Sequence, residues 1–212
     1  MLADFPILST IIFLPLAGVA VLLFIPVRRT RMINSVTLIN GSLSLFLTIM
    51  MYAQFEETVS GYQFVERYYW LRGYGISFHL GIDGLSLILI TLSSLLSLLA
   101  VISSFKSISL RNKEYMITLL FLQCGMTGVF AAMDMFLFFI FWEVILIPMF
   151  ILIALWGGKE RIYASVKFFL FTLFGSTLMF ISVIYLAYMS KKEFGYISYD
   201  FTDIFLLNID PG

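Results

Sequence analysis

The sequence predicts an all-α, polytopic membrane protein with six transmembrane helices, and three observations predict it. Hydrophobic residues make up 61% of the 212. Charged residues make up 12%, about half the roughly one quarter that soluble domains carry. Six segments each supply the ~20 largely apolar residues that a spanning helix needs. A mean hydropathy of +1.00 makes lipid the natural solvent for most of the chain.

Residues 5–26, 33–55, 85–105 and 115–133 contain no charge at all. Residues 135–156 contain one, Glu143, and residues 162–190 contain one, Lys167. The first apolar run is too long for a signal-peptide core, and MLAD puts an acid where a basic segment belongs, so it reads as a retained helix. With no internal repeat, low-complexity tract or soluble stretch, residues 1–212 read as a single membrane domain.

Lys and Arg in the connections set the orientation. With the N-terminus outside, the inner loops hold Arg28, Arg29, Arg31, Lys106, Arg111, Lys113, Lys159 and Arg161, against Arg67, Arg72, Lys191 and Lys192 outside. The excess favours an outer N-terminus. The one long connection, 56–82, then lies outside. From Tyr74 to Asp83 it alternates apolar and polar residues, the period of a strand, which predicts a short outer strand or hairpin over 74–83. Tyr68, Tyr69 and Trp70 just before it suit a membrane–water aromatic belt.

Several function classes drop out. Zero formal net charge argues against nucleic acid. One cysteine, Cys124, and one histidine, His79, leave no disulfide framework and no paired intramembrane haem ligands. Phosphate loops, Ser–His–Asp sets and metal-ligand spacings are missing from the sequence.

The informative residues are the charges inside spans. A charge at the centre of a spanning helix costs roughly 2.5–3.5 kcal/mol on insertion scales, so its default reading is functional. Glu143 is eight residues from Met135 and thirteen from Trp156, about 12 and 20 Å from the two ends, too deep for a glutamate to reach the headgroups. The structural alternative is a neutral, hydrogen-bonded glutamate. Lys167 is only about 8 Å inside its span, where a lysine stem can reach the surface, so function and snorkelling stand equal on physics alone. The short GGKER loop makes spans five and six antiparallel neighbours. Their charged residues then differ in depth by roughly 12 Å, which excludes a direct ion pair: either water links them, or each has a partner elsewhere in the membrane, and no other charged side chain of the sequence lies at the depth of Glu143.

Pro148 removes an N–H and leaves the carbonyl of Val144, beside Glu143, without its helical donor. Carboxylate, freed carbonyl and water would make a proton relay; a kink that only shapes packing is the alternative. Ser86, Ser93, Ser97 and Ser104 share one face of span three, read as close helix packing before a hydrated path. Asp83 and Asp134 open spans three and five and complement helix N-termini. Gly125, Gly128, Gly175 and Ser176 read as packing positions.

The stretches HLGIDGLSLILITLS (79–93), FWEVILIPMFILIALWGG (141–158) and KFFLFTLFGS (167–176) resemble the M-type (mitochondrial subunit 4) membrane subunits of NADH–quinone oxidoreductase, respiratory complex I. The resemblance covers nearly the whole chain. It implies an antiporter-like, proton-translocating subunit in which Glu143 matches a buried glutamate paired with a seventh-helix lysine and Lys167 matches the sixth-helix lysine. Trp142 and Pro148 support the motif, while His79, Asp83 and Asp134 are weaker candidates. It further implies a fourteen-helix fold with inverted repeats, whose broken seventh helix and second repeat have no counterpart before residue 212, so this stretch is not expected to pump alone. Flavin mononucleotide, iron–sulfur clusters and quinone would belong to other subunits, with no cofactor in this chain. The implied partners are neighbouring membrane subunits and the bilayer, and not nucleic acid. A plain methionine start fits a bacterial inner membrane, the mitochondrial inner membrane being the alternative. A multisubunit cation/proton antiporter subunit is the nearer functional alternative, and a non-pumping membrane scaffold the more distant one.

Overall fold

A computed structural model describes residues 5–59 and 61–207, so the MLAD and NIDPG ends lie outside the described residues. The order is α1 (Ile7–Phe24), α2 (Thr30–Ala53), β1 (Gln63–Leu71), β2 (Ile76–Ile82), α3 (Gly84–Ser107), α4 (Asn112–Ala131), α5 (Met135–Trp156), α6 (Arg161–Phe194) and the short α7 (Phe201–Ile204). Helices α1 to α6 are each long and apolar enough to cross a membrane. α6, at 34 residues, is about 51 Å long and extends past both predicted ends of its span.

Each helix runs antiparallel to the next, and α4 is the centre, packed against α1, α2, α3 and α5. α6 packs on α5 and α7 and leaves most of its circumference open. Glycines set the α4–α5 spacing. A Cβ on Gly125 would come 2.6 Å from the Ile145 side chain, and one on Gly128 would overlap the Phe141 ring. With dispersion and close backbone approach as the main forces between helices in lipid, such small residues decide how tightly two spans meet. Gly175 differs: a Cβ there meets nothing within 4 Å, so it does not serve the packing role expected for it.

The outer segment is a two-stranded antiparallel hairpin, with Arg67 opposite His79 and Tyr69 opposite Ser77. The strand predicted over 74–83 narrows to Ile76–Ile82, because Tyr74 and Gly75 form the turn. Gly75 has φ +71° and seats against the Ile197 carbonyl, leaving no room for a Cβ. In β2 both faces are buried. Its apolar residues meet the helices, while His79 and Ser77 are taken up by Asp200 and Asp134. Alternation here separates two packed faces rather than core from water. Tyr68, Tyr69 and Trp70 are exposed, as an aromatic belt requires.

The hairpin also ends a helix. α1 starts at Pro6 with no side-chain cap of its own. The Glu66 carboxylate accepts from the Leu8 N–H at 2.7 Å, the Ser9 N–H at 3.1 Å and the Ser9 hydroxyl. It thereby does the work of an N-cap for a helix 57 residues away. At the far end of the bundle, Lys113 Nζ donates to the carbonyls of Leu23 and Ile25 at 3.0 and 2.8 Å and closes the C-terminus of α1. Gly128→Val should cost about 1–3 kcal/mol by overpacking the α4–α5 seam, read as a lower thermal midpoint of the purified protein. Gly175→Ala, facing open space inside α6, should not lower that midpoint and should raise stability by up to about 1 kcal/mol.

Candidate functional site

Aromatic contacts fix how α5 faces α6. Phe139 stacks on Phe180 with centroids 4.5 Å apart, and Phe150 meets Phe169 at 5.6 Å. Glu143 lies four residues after Phe139 and seven before Phe150, on the same stripe. It therefore turns toward α6 at the level of buried Ser176, on the side of α5 away from the Gly125 and Gly128 contacts. Its Oε1 is buried and makes no hydrogen bond. Such an atom in an apolar setting costs ~1–3 kcal/mol or more for a charged group. Pro148, also buried, sits on the α4-facing side one turn further along. Trp142 is 37% exposed and stacks on Phe138.

Lys167 stands elsewhere. The residues of α6 that meet α5 are Phe169, Ser176 and Phe180; Lys167 is on the opposite side of that helix and exposed. Its Nζ lies 5.7 Å from the Tyr163 ring centre and 6.0 Å from that of Phe171, one turn below and one above. Two aromatic faces give a cation attraction of about 0.5–1 kcal/mol each at exposed sites. The Phe139–Phe180 and Phe150–Phe169 pairs also set the heights. Lys167 is nine residues from the Ser176 level, about 14 Å along the axis. Depth and facing both separate it from Glu143, and no ion pair joins them.

The weaker candidates gather at the hairpin end. Asp83 caps α3, accepting from the Ser86 N–H at 2.7 Å. Asp134 caps α5 through the Phe136 and Leu137 N–H groups at 2.9 and 3.1 Å, and its other oxygen accepts from Ser77 of β2. Burial pushes the Asp134 carboxyl above the usual carboxylate range, and the Ser77, Leu137 and Phe136 N–H bonds oppose that only in part. His79 Nδ1 lies 2.8 Å from Asp200 Oδ2, and Arg67 Nη2 is 3.2 Å from the same oxygen. The Thr202 hydroxyl donates to Oδ1 at 2.6 Å. Burial alone would raise the Asp200 carboxyl, but the bonds from His79 and then Thr202 outweigh it and hold it at about 2. Backbone bonds from Met133 to His79 and from Phe201 to Met133 complete the join. His79 is thus a clasp between the hairpin and the segment after α6. Among the described residues, no three His, Cys, Asp or Glu side chains form a metal-binding group.

Six antiparallel helices, each long and apolar enough to cross a membrane, define a polytopic membrane protein. Residues 132–208 match the family described as NADH:quinone oxidoreductase/Mrp antiporter, transmembrane. The chain is 40% identical over 161 residues to NADH-quinone oxidoreductase subunit M of Rickettsia typhi, a match covering 73% of this chain and 33% of that one. It is 36% identical over 150 residues to NADH-ubiquinone oxidoreductase chain 4 of Marchantia polymorpha, covering 71% of this chain and 30% of that one. Among solved structures, respiratory complex I from Thermus thermophilus with bound NADH contains a chain of the same fold. The TM-score is 0.76 at 23% identity, over 96% of this chain and 40% of that one. The chain belongs to this family of antiporter-like membrane subunits and spans about a third of the length of the curated relatives it matches. Bacterial and mitochondrial relatives, with six spans here, make it a multi-pass inner-membrane protein.

The Asp200 clasp has a testable pH signature. Its folded value of about 2 lies below its ordinary 3.8. The stabilisation is therefore complete above about pH 4 and is lost as pH falls through about 2, a change of roughly 2 kcal/mol. Thermal unfolding in detergent at pH 5 and pH 2 should show that loss in the wild type and not in Asp200→Asn.

Proposed function

We propose that this chain provides six helices of a proton-translocating membrane subunit of an NADH:quinone oxidoreductase, in which Glu143 is one half of a charge-switching pair. The observation that carries the reading is the buried, unbonded Oε1 of Glu143 at mid-membrane depth. A carboxylate there is ionised while a cation stands beside it and favours its protonated form when that cation withdraws. The lysine supplying that cation comes from a helix outside these residues. Water and the Val144 carbonyl freed by Pro148 link the carboxyl to one side of the membrane.

Lys167 serves the other face of α6. Held between Tyr163 and Phe171, it acts on Glu143 only around that helix, through neighbouring charges or water, and so tunes or relays rather than pairs. Flavin, iron–sulfur and quinone chemistry belong to other subunits, and neighbouring membrane subunits are the partners. The hairpin end faces outward, as the basic loops at the opposite end require.

A multisubunit cation/proton antiporter is the second reading, favoured by the family description that joins both classes. Genes for flavin and iron–sulfur subunits beside this one decide for the oxidoreductase.

In the full-length subunit within its assembled complex, Glu143→Gln should slow proton transfer through this subunit about 10²–10⁴-fold, read as fewer protons moved per quinone reduced. Lys167→Ala should reduce pumping less. Vesicle acidification measured with quinone reduction checks both; normal pumping in the glutamine variant returns Glu143 to a structural role.

A further inference from the structure

The α6 residue across from Glu143 carries chemistry that the switching pair leaves unused. α6 packs on α5 and α7 and is otherwise open, so a side chain buried at mid-helix is buried against α5. The buried residues of α6 are Ser165, Ser176, Val183, Ala187 and Ser190. Their spacings of eleven, seven, four and three keep them on one stripe, and all but Val183 are small, which lets a neighbouring helix approach closely. Ser176, at mid-helix, is 4% exposed. Two aromatic pairs fix the α5 residue that it meets. From Phe139–Phe180 to Phe150–Phe169, α5 advances eleven residues while α6 retreats eleven, so the antiparallel register holds along the seam. Glu143 is four residues on from Phe139, and Ser176 is four residues back from Phe180. The two therefore stand at one height on facing stripes, with a ring pair closing the seam on either side.

The hydrogen bond that Ser176 already makes decides what it can offer. Its hydroxyl donates to the Leu173 carbonyl at 3.0 Å. A carbonyl has no hydrogen to give, so the one Ser176 hydroxyl proton is committed and Oγ keeps lone pairs that accept. An ionised carboxylate likewise only accepts, whereas a protonated carboxyl carries an O–H donor. We propose that Ser176 is a positioning residue for the protonated form of Glu143, its Oγ accepting from the Glu143 O–H once the carboxyl has taken up its proton. Forming this bond needs a rotamer change of Glu143, which gives up no partner at Oε1. The bond belongs to one charge state alone, so it holds the neutral side chain in the α5–α6 seam while the cation is withdrawn. This assignment rests on the proposed switching of Glu143 and adds the group that receives its proton's hydrogen bond. Thr172, whose hydroxyl also donates within its own helix, to the Phe168 carbonyl at 2.8 Å, lies one turn off that height and supplies the control.

Infrared difference spectra of the full-length subunit in its assembled complex, resting against turning over with NADH and quinone, give the test. The protonated-carboxyl band lost in Glu143→Gln identifies the group. Ser176→Ala, a change that suits a helix interior, should move that band to higher wavenumber, because the C=O of a carboxyl stiffens when its hydrogen bond is lost. Thr172→Val should leave the band in place. A band unmoved in Ser176→Ala, or moved as far in Thr172→Val, overturns the assignment of Ser176 and leaves the switching of Glu143 standing. A wild-type spectrum with no band that Glu143→Gln removes overturns the switching itself, and this assignment with it.

Discussion

A bilayer interior donates no hydrogen bonds and accepts none, so every polar atom placed there must find a partner within the protein or bring water with it. That constraint orders this structure. At the hairpin end it is met almost redundantly: Glu66, Asp83 and Asp134 terminate α1, α3 and α5, and three of the four Asp134 bonds are to N–H groups. The hairpin is therefore the plate on which the helix starts are registered. Asp200, bound to His79, Arg67 and Thr202, fastens the segment after α6 to the same plate. At the far end Lys113 and the Trp156 indole, which donates to the Leu110 carbonyl at 3.0 Å, do comparable work.

Against that background the mid-membrane groups stand apart. Glu143 is held at fixed height by the Phe139–Phe180 and Phe150–Phe169 contacts, yet its buried oxygen is left open. On the far side of α6, the Lys167 ammonium lies over the rings of Tyr163 and Phe171. Glu143 and Lys167 thus lie on opposite sides of α6, at different depths.

The spans were legible because apolar runs of about 20 residues admit one solution in lipid. Asp83 and Asp134 were legible as caps because each directly precedes its helix. Glu143 and the distance to Lys167 followed from counting residues at a fixed rise. The facing of Lys167 did not, since depth alone says nothing of azimuth until the α5–α6 aromatic pairs are known. The Asp200 clasp was invisible: it joins a lone histidine to an aspartate 121 residues away, a separation no local pattern encodes. Glu66 was hidden for the same reason.

The central claim is that Glu143 changes protonation state as the enzyme works. Infrared difference spectroscopy of the assembled, full-length enzyme, resting against turning over with NADH and quinone, reads this directly. The account predicts a protonated-carboxyl band that changes on turnover and vanishes in Glu143→Gln. A difference spectrum in the carboxyl region that is the same in wild type and variant would contradict it.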